Sequence, residues 1–356
     1  MTSPHSEKKI YIDFEKEFYK DILQTLITPT SEKFQKILKS FSTFNLFFCA
    51  LIAGEVFYLL FHLTFLVQGF VLAIHLALVF ATVFSFFTLR LYFQTKKAEK
   101  FVALKNDFIN AVKSSLNFQE NNSEHHLTIA SMCCKLAVHL HDQEYKVYSF
   151  GPLFNFIAPS IEKLSCWCHW QDVHFMKEML LNISVDEHIK LVKSEPTNLE
   201  VHAGLANAYV ILSGLYVDPR TIEGHDDERW IPHNKYQGYF KQKFRLAAER
   251  AIEEFKILSA YAPNDPWVYA QLAFSYHDLQ MPKEEIKAYE TILELCPEDK
   301  ETLFKLGRLY FEQGLNAKGL QLYENLKKSN YNKAESLIHY YGDYSNSKQF
   351  DSLTVG

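Results

Sequence analysis

The sequence almost lacks charge between Phe44 and Leu89, where Glu55 is the single formally charged residue. A membrane-spanning helix needs about 20 apolar residues to cross a hydrocarbon core of about 30 Å. A Gln68-Gly69 pair divides the stretch into two halves that are each long enough. The sequence therefore predicts a transmembrane hairpin at 44–93, with spans at about 44–67 and 70–92.

Other features are absent too, and each absence excludes a class of protein. The formal net charge of −5 leaves no global basic field for nucleic acid. The N-terminal residues are charged, and the apolar stretch begins too late for a cleavable signal. The six cysteines form no disulfide-rich framework, and a chain of 356 residues needs none. We therefore expect the soluble part to face a reducing, cytoplasmic compartment.

Cations flank the apolar stretch on both sides. Lys33, Lys36 and Lys39 precede the first span, and a second basic group that includes Arg90 and Lys97 follows the second span. Under the positive-inside rule both termini then lie in the cytoplasm. The alternative, a buried core hairpin of a soluble protein, is disfavoured because soluble helices almost always show a polar face.

Amphipathic helices are predicted on either side of the hairpin. Residues 1–43 carry one such helix, which Thr28-Pro29 is expected to end, and a second stretch built on Phe34 and Leu38. This second stretch lies either at the lipid headgroups or against the soluble domain. Residues 94–194 are predicted to form a helical linker with a degenerate repeat region, including a helical pair at 172–194. No period-2 strand pattern of useful length is present.

The C-terminal half repeats with a period of 34 residues, since Tyr276 corresponds to Tyr310 and Tyr289 to Tyr323. In each unit a Leu-Ala or Leu-Gly pair lies shortly before Tyr276 or Tyr310. Small residues such as Ala273 let paired antiparallel helices approach closely.

This pattern resembles the tetratricopeptide repeat (TPR), and the resemblance implies an all-α protein with a right-handed, TPR-like α-solenoid over 195–341. Leu205 and Ala206 begin an upstream unit, and Ala251 and Phe255 belong to its second helix. An insertion at 215–239 splits that unit. The resemblance also implies a small residue at the position that Glu285 occupies. Residues 331–341 are expected to form a capping helix, and 342–356 a flexible tail.

In this family the first helix of each unit lines a concave groove that binds a protein or peptide partner. The resemblance implies partner-binding roles for the residues of this sequence at the corresponding groove positions, which are Asn207, Trp267, Phe274, His277, Lys305, Arg308 and Glu312. In the insertion, Trp230 is a candidate anchor beside a run of acidic residues and histidines. That run is expected to be solvated, and a metal-dependent enzyme there is the alternative.

Polar residues inside the hairpin are the other candidates. A carboxylate near mid-bilayer is expensive, so Glu55 is expected to be neutral, paired or facing water. If the hairpin turns at 68/69, Glu55 lies level with Thr82, and His62 lies level with His75. Such a polar seam holds two helices or two protomers together, or, in an oligomer, handles protons or ions.

The sequence shows no nucleophile–base pair, phosphate-binding glycine loop or strong metal motif. The Cys166-Trp167-Cys168-His169 segment lacks zinc-site spacing and is predicted to be a packed helix. We therefore expect no enzyme, no metal and no cofactor, and we predict a membrane-anchored scaffold. The hairpin's hydropathy shape also resembles the inclusion-membrane proteins of chlamydiae. That resemblance implies a bacterial protein, in the inner membrane or secreted into a host vacuole membrane, where it recruits host proteins.

Overall fold

The computed structural model describes residues 23–61, 69–148, 158–218 and 236–342. Within these ranges the chain forms helices and no strand, which confirms the predicted all-α fold class. The described residues fall into two compact units. The first comprises those up to 187 together with 218, and the second comprises 188–217 and 236–342.

Two long helices, α1 (Thr28–Phe61) and α2 (Gly69–Ser115), dominate the first unit. The helix α1 begins before the first predicted span and α2 ends after the second, because the flanking amphipathic segments continue the same helices. The end of the first span and the predicted turn at Gln68 lie outside the described residues. The predicted helix break at Thr28-Pro29 is wrong: a π-helical turn, Leu23–Ile27, leads directly into α1. Pro29 lies in the first turn of α1, where a missing N–H removes no helical hydrogen bond.

Aromatic side chains hold α1 and α2 together as an antiparallel hairpin. The ring of Phe44 lies 4.6 Å from that of Phe93, between centroids, and Phe48 lies 5.5 Å from Phe86. At the base, the ring of Phe34 lies 5.1 Å from that of Phe101, and both side chains are buried. The second amphipathic stretch therefore packs against protein, which is one of its two predicted alternatives.

The apolar parts of these two helices are left uncovered. Both are long and apolar enough to cross a membrane, by length and composition. In the most apolar 18-residue window, 0 % of residues are buried in the first helix and 6 % in the second. Five phenylalanine side chains on these helices are 62–78 % exposed: Phe47, Phe57, Phe61, Phe70 and Phe80.

Two further helices, α3 (Ser123–His139) and α4 (Ala158–Ser194), pack at the base of the hairpin. Lys97 pairs with Asp172 at 2.7 Å, so α2 and α4 are joined by a largely buried ion pair. The predicted helical pair at 172–194 is wrong, because α4 runs through this region without interruption.

The second unit consists of antiparallel helix pairs, as the repeats predict. The predicted first and second helices of each unit form where the sequence places them, and a short capping helix follows the last pair. The helices are α5 (Leu199–Gly214), α6 (Tyr239–Tyr261), α7 (Pro266–Asp278), α8 (Pro282–Leu295), α9 (Lys300–Glu312), α10 (Asn316–Lys328) and α11 (Ala334–Leu337).

The helices α3, α5, α7 and α9 begin in the same way. An Asn or Asp side chain accepts a hydrogen bond from the backbone N–H two residues on, at 3.0–3.1 Å. This cap satisfies one of the unpaired donors at a helix start. The capping residues are Asn122, Asn198, Asp265 and Asp299.

The helix α3 also carries a second feature of α5. His126 and His202 stand four residues after their caps, 76 apart in the sequence (126 to 202). His202 Nδ1 lies 2.6 Å from Glu254 of the following repeat helix, and His126 bonds Glu187 in the same manner. The two helices therefore begin with the same cap and the same histidine–glutamate hydrogen bond, and the degenerate repeat in the region 94–194 stays a prediction.

Small residues set the close approach of the C-terminal helices. A Cβ added to Gly307 meets Leu337 of α11 at 2.8 Å, and one added to Gly319 meets the ring of Phe311 at 2.5 Å. Phe311 and Leu337 are fully buried, so neither has free space to move into. These glycines are therefore required by packing.

We predict that Gly319→Ala destabilises the fold by about 1–3 kcal/mol through overpacking. The control is Gly214→Ala, since a Cβ at that helical glycine meets nothing within 4 Å. Alanine there should be neutral or slightly stabilising. Thermal unfolding followed by circular dichroism measures both, and an equal midpoint for the two variants contradicts the packing argument.

Candidate functional site

The helices α7, α8 and α9 surround an open pocket of about 180 Å³. Five of the predicted partner-binding residues line it together: Phe274, His277, Lys305, Arg308 and Glu312. The remaining lining residues are Glu285, Tyr289 and Leu309. The more C-terminal of the residues that the TPR resemblance implied for partner binding therefore lie together around one pocket.

Helix geometry explains this convergence. Lys305, Arg308, Leu309 and Glu312 are spaced i, i+3, i+4 and i+7, so they share one face of α9. Phe274 stands one period before Arg308 (274 to 308, 34 residues), hence at the same step of the preceding first helix. The second helix α8 supplies the floor, where Glu285 and Tyr289 are buried.

Glu285 and His277 form the polar pair of the pocket. The Nδ1 atom of His277 lies 3.2 and 3.3 Å from the two carboxylate oxygens of Glu285. This hydrogen bond raises the pKa of His277. The Glu285 side chain is 7 % exposed and that of His277 is 56 % exposed, so the imidazole covers the carboxylate and faces solvent.

Burial perturbs two neighbours of this pair. It raises the pKa of the Asp278 carboxyl. It also raises the pKa of Tyr289 to about 12, with a further contribution from the charge of Glu285. Tyr289 therefore remains a neutral phenol at physiological pH.

The two long cations of the pocket lie on aromatic rings. Lys305 Nζ is 5.2 Å from the ring centroid of Phe274, and the Arg308 guanidinium is 5.3 Å from that of Tyr340. Each also pairs with a carboxylate on its own helix: Arg308 Nε donates to Glu312 at 2.7 Å, and Lys305 lies 2.9 Å from Glu301. Aromatic contacts hold both cations at the rim while their charges stay accessible.

The other predicted residues do not line this pocket. Asn207 is exposed on α5, and Trp267 lies at the start of α7, where its ring meets Phe255 edge-on at 6.1 Å. Trp230 lies outside the described residues, as does most of the predicted insertion. Sequence reasoning missed Glu285, although a charged residue at a small-residue position was the available signal.

A second polar cluster lies within the hairpin. Thr82 Oγ1 donates to Glu55 at 2.8 Å, so these residues lie level, as predicted. His75 Nε2 lies 3.1 Å from the Glu55 backbone oxygen, and its ring is 5.2 Å from that of Tyr58. The predicted partner of His75, His62, lies outside the described residues.

The Glu55 carboxyl group is only half satisfied by these contacts. Its Oε1 atom accepts from Thr82, whereas Oε2 is buried and has no hydrogen-bond partner among the described residues. A buried, unsatisfied oxygen costs free energy that an apolar side chain would not. The unsatisfied Oε2 atom of Glu55 therefore lowers the stability of the hairpin, and the hydrogen bond from Thr82 to Oε1 offsets part of this cost.

No group of three or more potential metal-ligating side chains is found in the part of the chain that the structure describes. The Cys166–His169 segment lies within α4, as predicted. Cys166 and His169 are buried, Cys168 is exposed, and His169 Nε2 lies 2.8 Å from the hydroxyl of Ser42 on α1. The segment thus joins α4 to the base of the hairpin.

Comparison with known proteins adds little. No protein-family model and no curated protein sequence match the chain. Among solved structures, a thermophilic TPR protein from Thermus thermophilus is similar, with 19 % identity over 59 % of this chain and 96 % of that chain, and a TM-score of 0.28. A likeness at this TM-score carries no argument about the fold or the function of this chain.

We predict that Glu285→Gln lowers the pKa of His277, because it removes the carboxylate that stabilises the imidazolium. A pH titration of the histidine Cε1 proton resonances by NMR measures this pKa. The resonance that is missing in His277→Gln is that of His277. A His277 pKa that does not change in Glu285→Gln contradicts the pairing. Since the folded-state pKa lies above the ordinary 6.5, protonated His277 stabilises the wild type below that pH. The stabilisation is lost as the pH rises through the folded-state pKa.

We also predict that Thr82→Val destabilises the hairpin by about 1 kcal/mol, because Glu55 loses its donor without a change in side-chain shape. Glu55→Gln should be tolerated, because its amide oxygen still accepts from Thr82. The stability of each variant is measured as the mole fraction of SDS at which half of the protein is unfolded in mixed micelles. Thr88→Val is the matched control, since Thr88 bonds only a carbonyl of its own helix. Equal midpoints for Thr82→Val and Thr88→Val contradict the role of the Glu55 bond.

Proposed function

We propose that this protein is a membrane-anchored helical-repeat scaffold that binds a protein or peptide partner in the groove of its repeat domain. The observation that carries the proposal is the convergence of aromatic and charged side chains on one open pocket of α7–α9. The pocket stands on a packed frame of repeat helices, which holds these side chains in place.

The size and lining of the pocket favour a peptide side chain as its occupant. Its volume of about 180 Å³ is below the range of about 300–1,000 Å³ found for small-molecule sites. Phe274, 48 % exposed, offers an apolar contact beside the charged rim. Helical grooves that bind peptides combine such an anchor with polar groups around it.

The membrane anchor is supported by the uncovered apolar surface of α1 and α2. Large exposed apolar patches on proteins mark sites that bind a membrane or another protein. Cations collect at one end of the hairpin: Arg90 lies 5.8 Å from the Phe86 ring, and Lys97 and Lys100 lie within 5.7 Å of the Phe41 ring. We propose that this end is cytoplasmic, in a bacterial inner membrane or in a host vacuole membrane.

We predict that Phe274→Ala and Arg308→Glu each abolish capture of the partner by the full-length chain in lipid nanodiscs. The first removes the apolar anchor, and the second reverses the charge at the rim. Captured proteins are identified by mass spectrometry against empty nanodiscs.

Two control variants test whether the pocket itself is responsible. Arg245→Glu reverses the charge of an arginine that, like Arg308, pairs with a glutamate four residues on, but lies outside the pocket. Tyr261→Ala removes an exposed aromatic ring elsewhere on the unit. Both should retain the partner, and loss of capture in the controls contradicts the proposed site.

A second candidate, proton or ion handling by an oligomer of hairpins, is favoured by the unpartnered Oε2 atom of Glu55. Proton flux into liposomes that contain the full-length chain tests it. If Glu55→Gln abolishes flux but retains crosslinked oligomers, the carboxyl transfers protons. If wild-type liposomes show no flux above empty ones, this candidate is excluded and the polar cluster serves packing alone.

A further inference from the structure

The pocket contains a donor that depends on protonation. In neutral His277 the Nδ1–H donates to Glu285, which leaves a lone pair on Nε2. Nε2 makes no hydrogen bond to the described residues, and the side chain is 56 % exposed. When the imidazole is protonated, Nε2–H becomes a donor that faces the pocket. Protonation therefore changes His277 from an acceptor to a cationic donor at the same position.

Other charges that face His277 come from all three helices. Asp278 on α7 and Glu285 on α8 favour the protonated imidazole, whereas Arg308 on α9 disfavours it. Lys305 and Glu312 on α9 complete the lining. The hydrogen bond to Glu285 is the largest of these influences and raises the pKa of His277.

With His277 protonated, the accessible charge of the pocket is positive. Glu285 is buried behind His277, so Lys305, Arg308 and the imidazolium outnumber Glu312, the remaining carboxylate of the lining. The intrahelical pair of Lys305 with Glu301 is partly exposed, and such pairs contribute about 0–1 kcal/mol, so exchanging this pair for a ligand carboxylate costs little. A basic ligand, by contrast, would meet three cationic groups.

We propose that this pocket recognises an aspartate or glutamate side chain of the partner, and that protonation of His277 strengthens the binding. The carboxylate accepts from Nε2 of His277 and from Lys305 and Arg308, while Phe274 contacts the adjoining apolar part of the peptide. The inference rests on the proposed function, because it assigns a ligand chemistry to the same groove. It adds that binding weakens as the pH rises.

The test uses the full-length chain in nanodiscs and a random library of twelve-residue peptides displayed as N-terminal fusions. Such peptides have no free C-terminal carboxylate, so an acidic side chain must supply the ligand. Selection at pH 6 should enrich Asp or Glu beside an apolar residue. A selected peptide, made with an amidated C-terminus, should bind about three- to tenfold more weakly at pH 8.5, the effect expected of one partly exposed charged hydrogen bond.

Variants assign the effect to individual residues. His277→Gln keeps a donor for Glu285 but cannot be protonated, so it should abolish the pH dependence. Lys305→Gln should weaken binding at both pH values and leave their ratio unchanged. Glu285→Gln should move the midpoint of the pH dependence to lower pH.

The possible failures are distinguishable. Enrichment of non-acidic peptides, or a pH dependence that persists in His277→Gln, overturns the inference and leaves the scaffold function standing. Equal binding by a Glu→Gln peptide with a free C-terminal carboxylate also overturns it, because the terminus is then the ligand. If no peptide binds above empty nanodiscs, the groove function fails and this inference fails with it.

Discussion

The uncovered apolar surface of the α1–α2 hairpin is the constraint on which the account of this protein depends. Each large apolar side chain left in water forgoes about 1.5–3 kcal/mol of burial free energy, and such side chains line both helices. Aromatic contacts join α1 to α2, yet they cover one face only. The base of the same helices is different, since Phe34 and Phe101 are buried there against each other. The hairpin therefore passes from an uncovered apolar surface to one that packs as an ordinary protein core.

In the second unit the corresponding constraint is close helix packing. Gly319 beside Phe311 and Gly307 beside Leu337 leave no room for a methyl group. Regular packing of this kind presents equivalent positions of successive first helices side by side, which is why Phe274 and Arg308 line the same pocket. Glu285 departs from the pattern by placing a buried carboxylate where a small residue is expected. That departure turns a packing position into one that controls the protonation of His277, so the chemistry of the pocket arises where the repeat is least regular.

The parts of this structure that follow from periodicity could be predicted from the sequence. The 34-residue period located α7–α10, and equal depth in a hairpin placed Glu55 beside Thr82. Features that depend on where a residue lies in its helix, or on its contacts with other helices, could not be predicted from periodicity. Pro29 is a helix breaker in isolation, yet the first turn of α1 accommodates it. The caps at Asn198, Asp265 and Asp299 each follow a proline by two residues, a pattern that could have located three helix starts. The burial of Glu285 depends on its contact with His277, which a linear pattern does not specify.

The proposed function requires that the hairpin lies in a membrane with the repeat domain on the cytoplasmic side. Two exposed cysteines report on this, Cys49 within the apolar part of α1 and Cys296 at the end of α8. A membrane-impermeant maleimide is applied to sealed inside-out and right-side-out vesicles, and the labelled cysteines are identified by mass spectrometry. We expect Cys296 to be labelled in inside-out vesicles alone and Cys49 to be labelled in neither orientation. Labelling of Cys49 in intact vesicles, or of Cys296 from the opposite side, would contradict it.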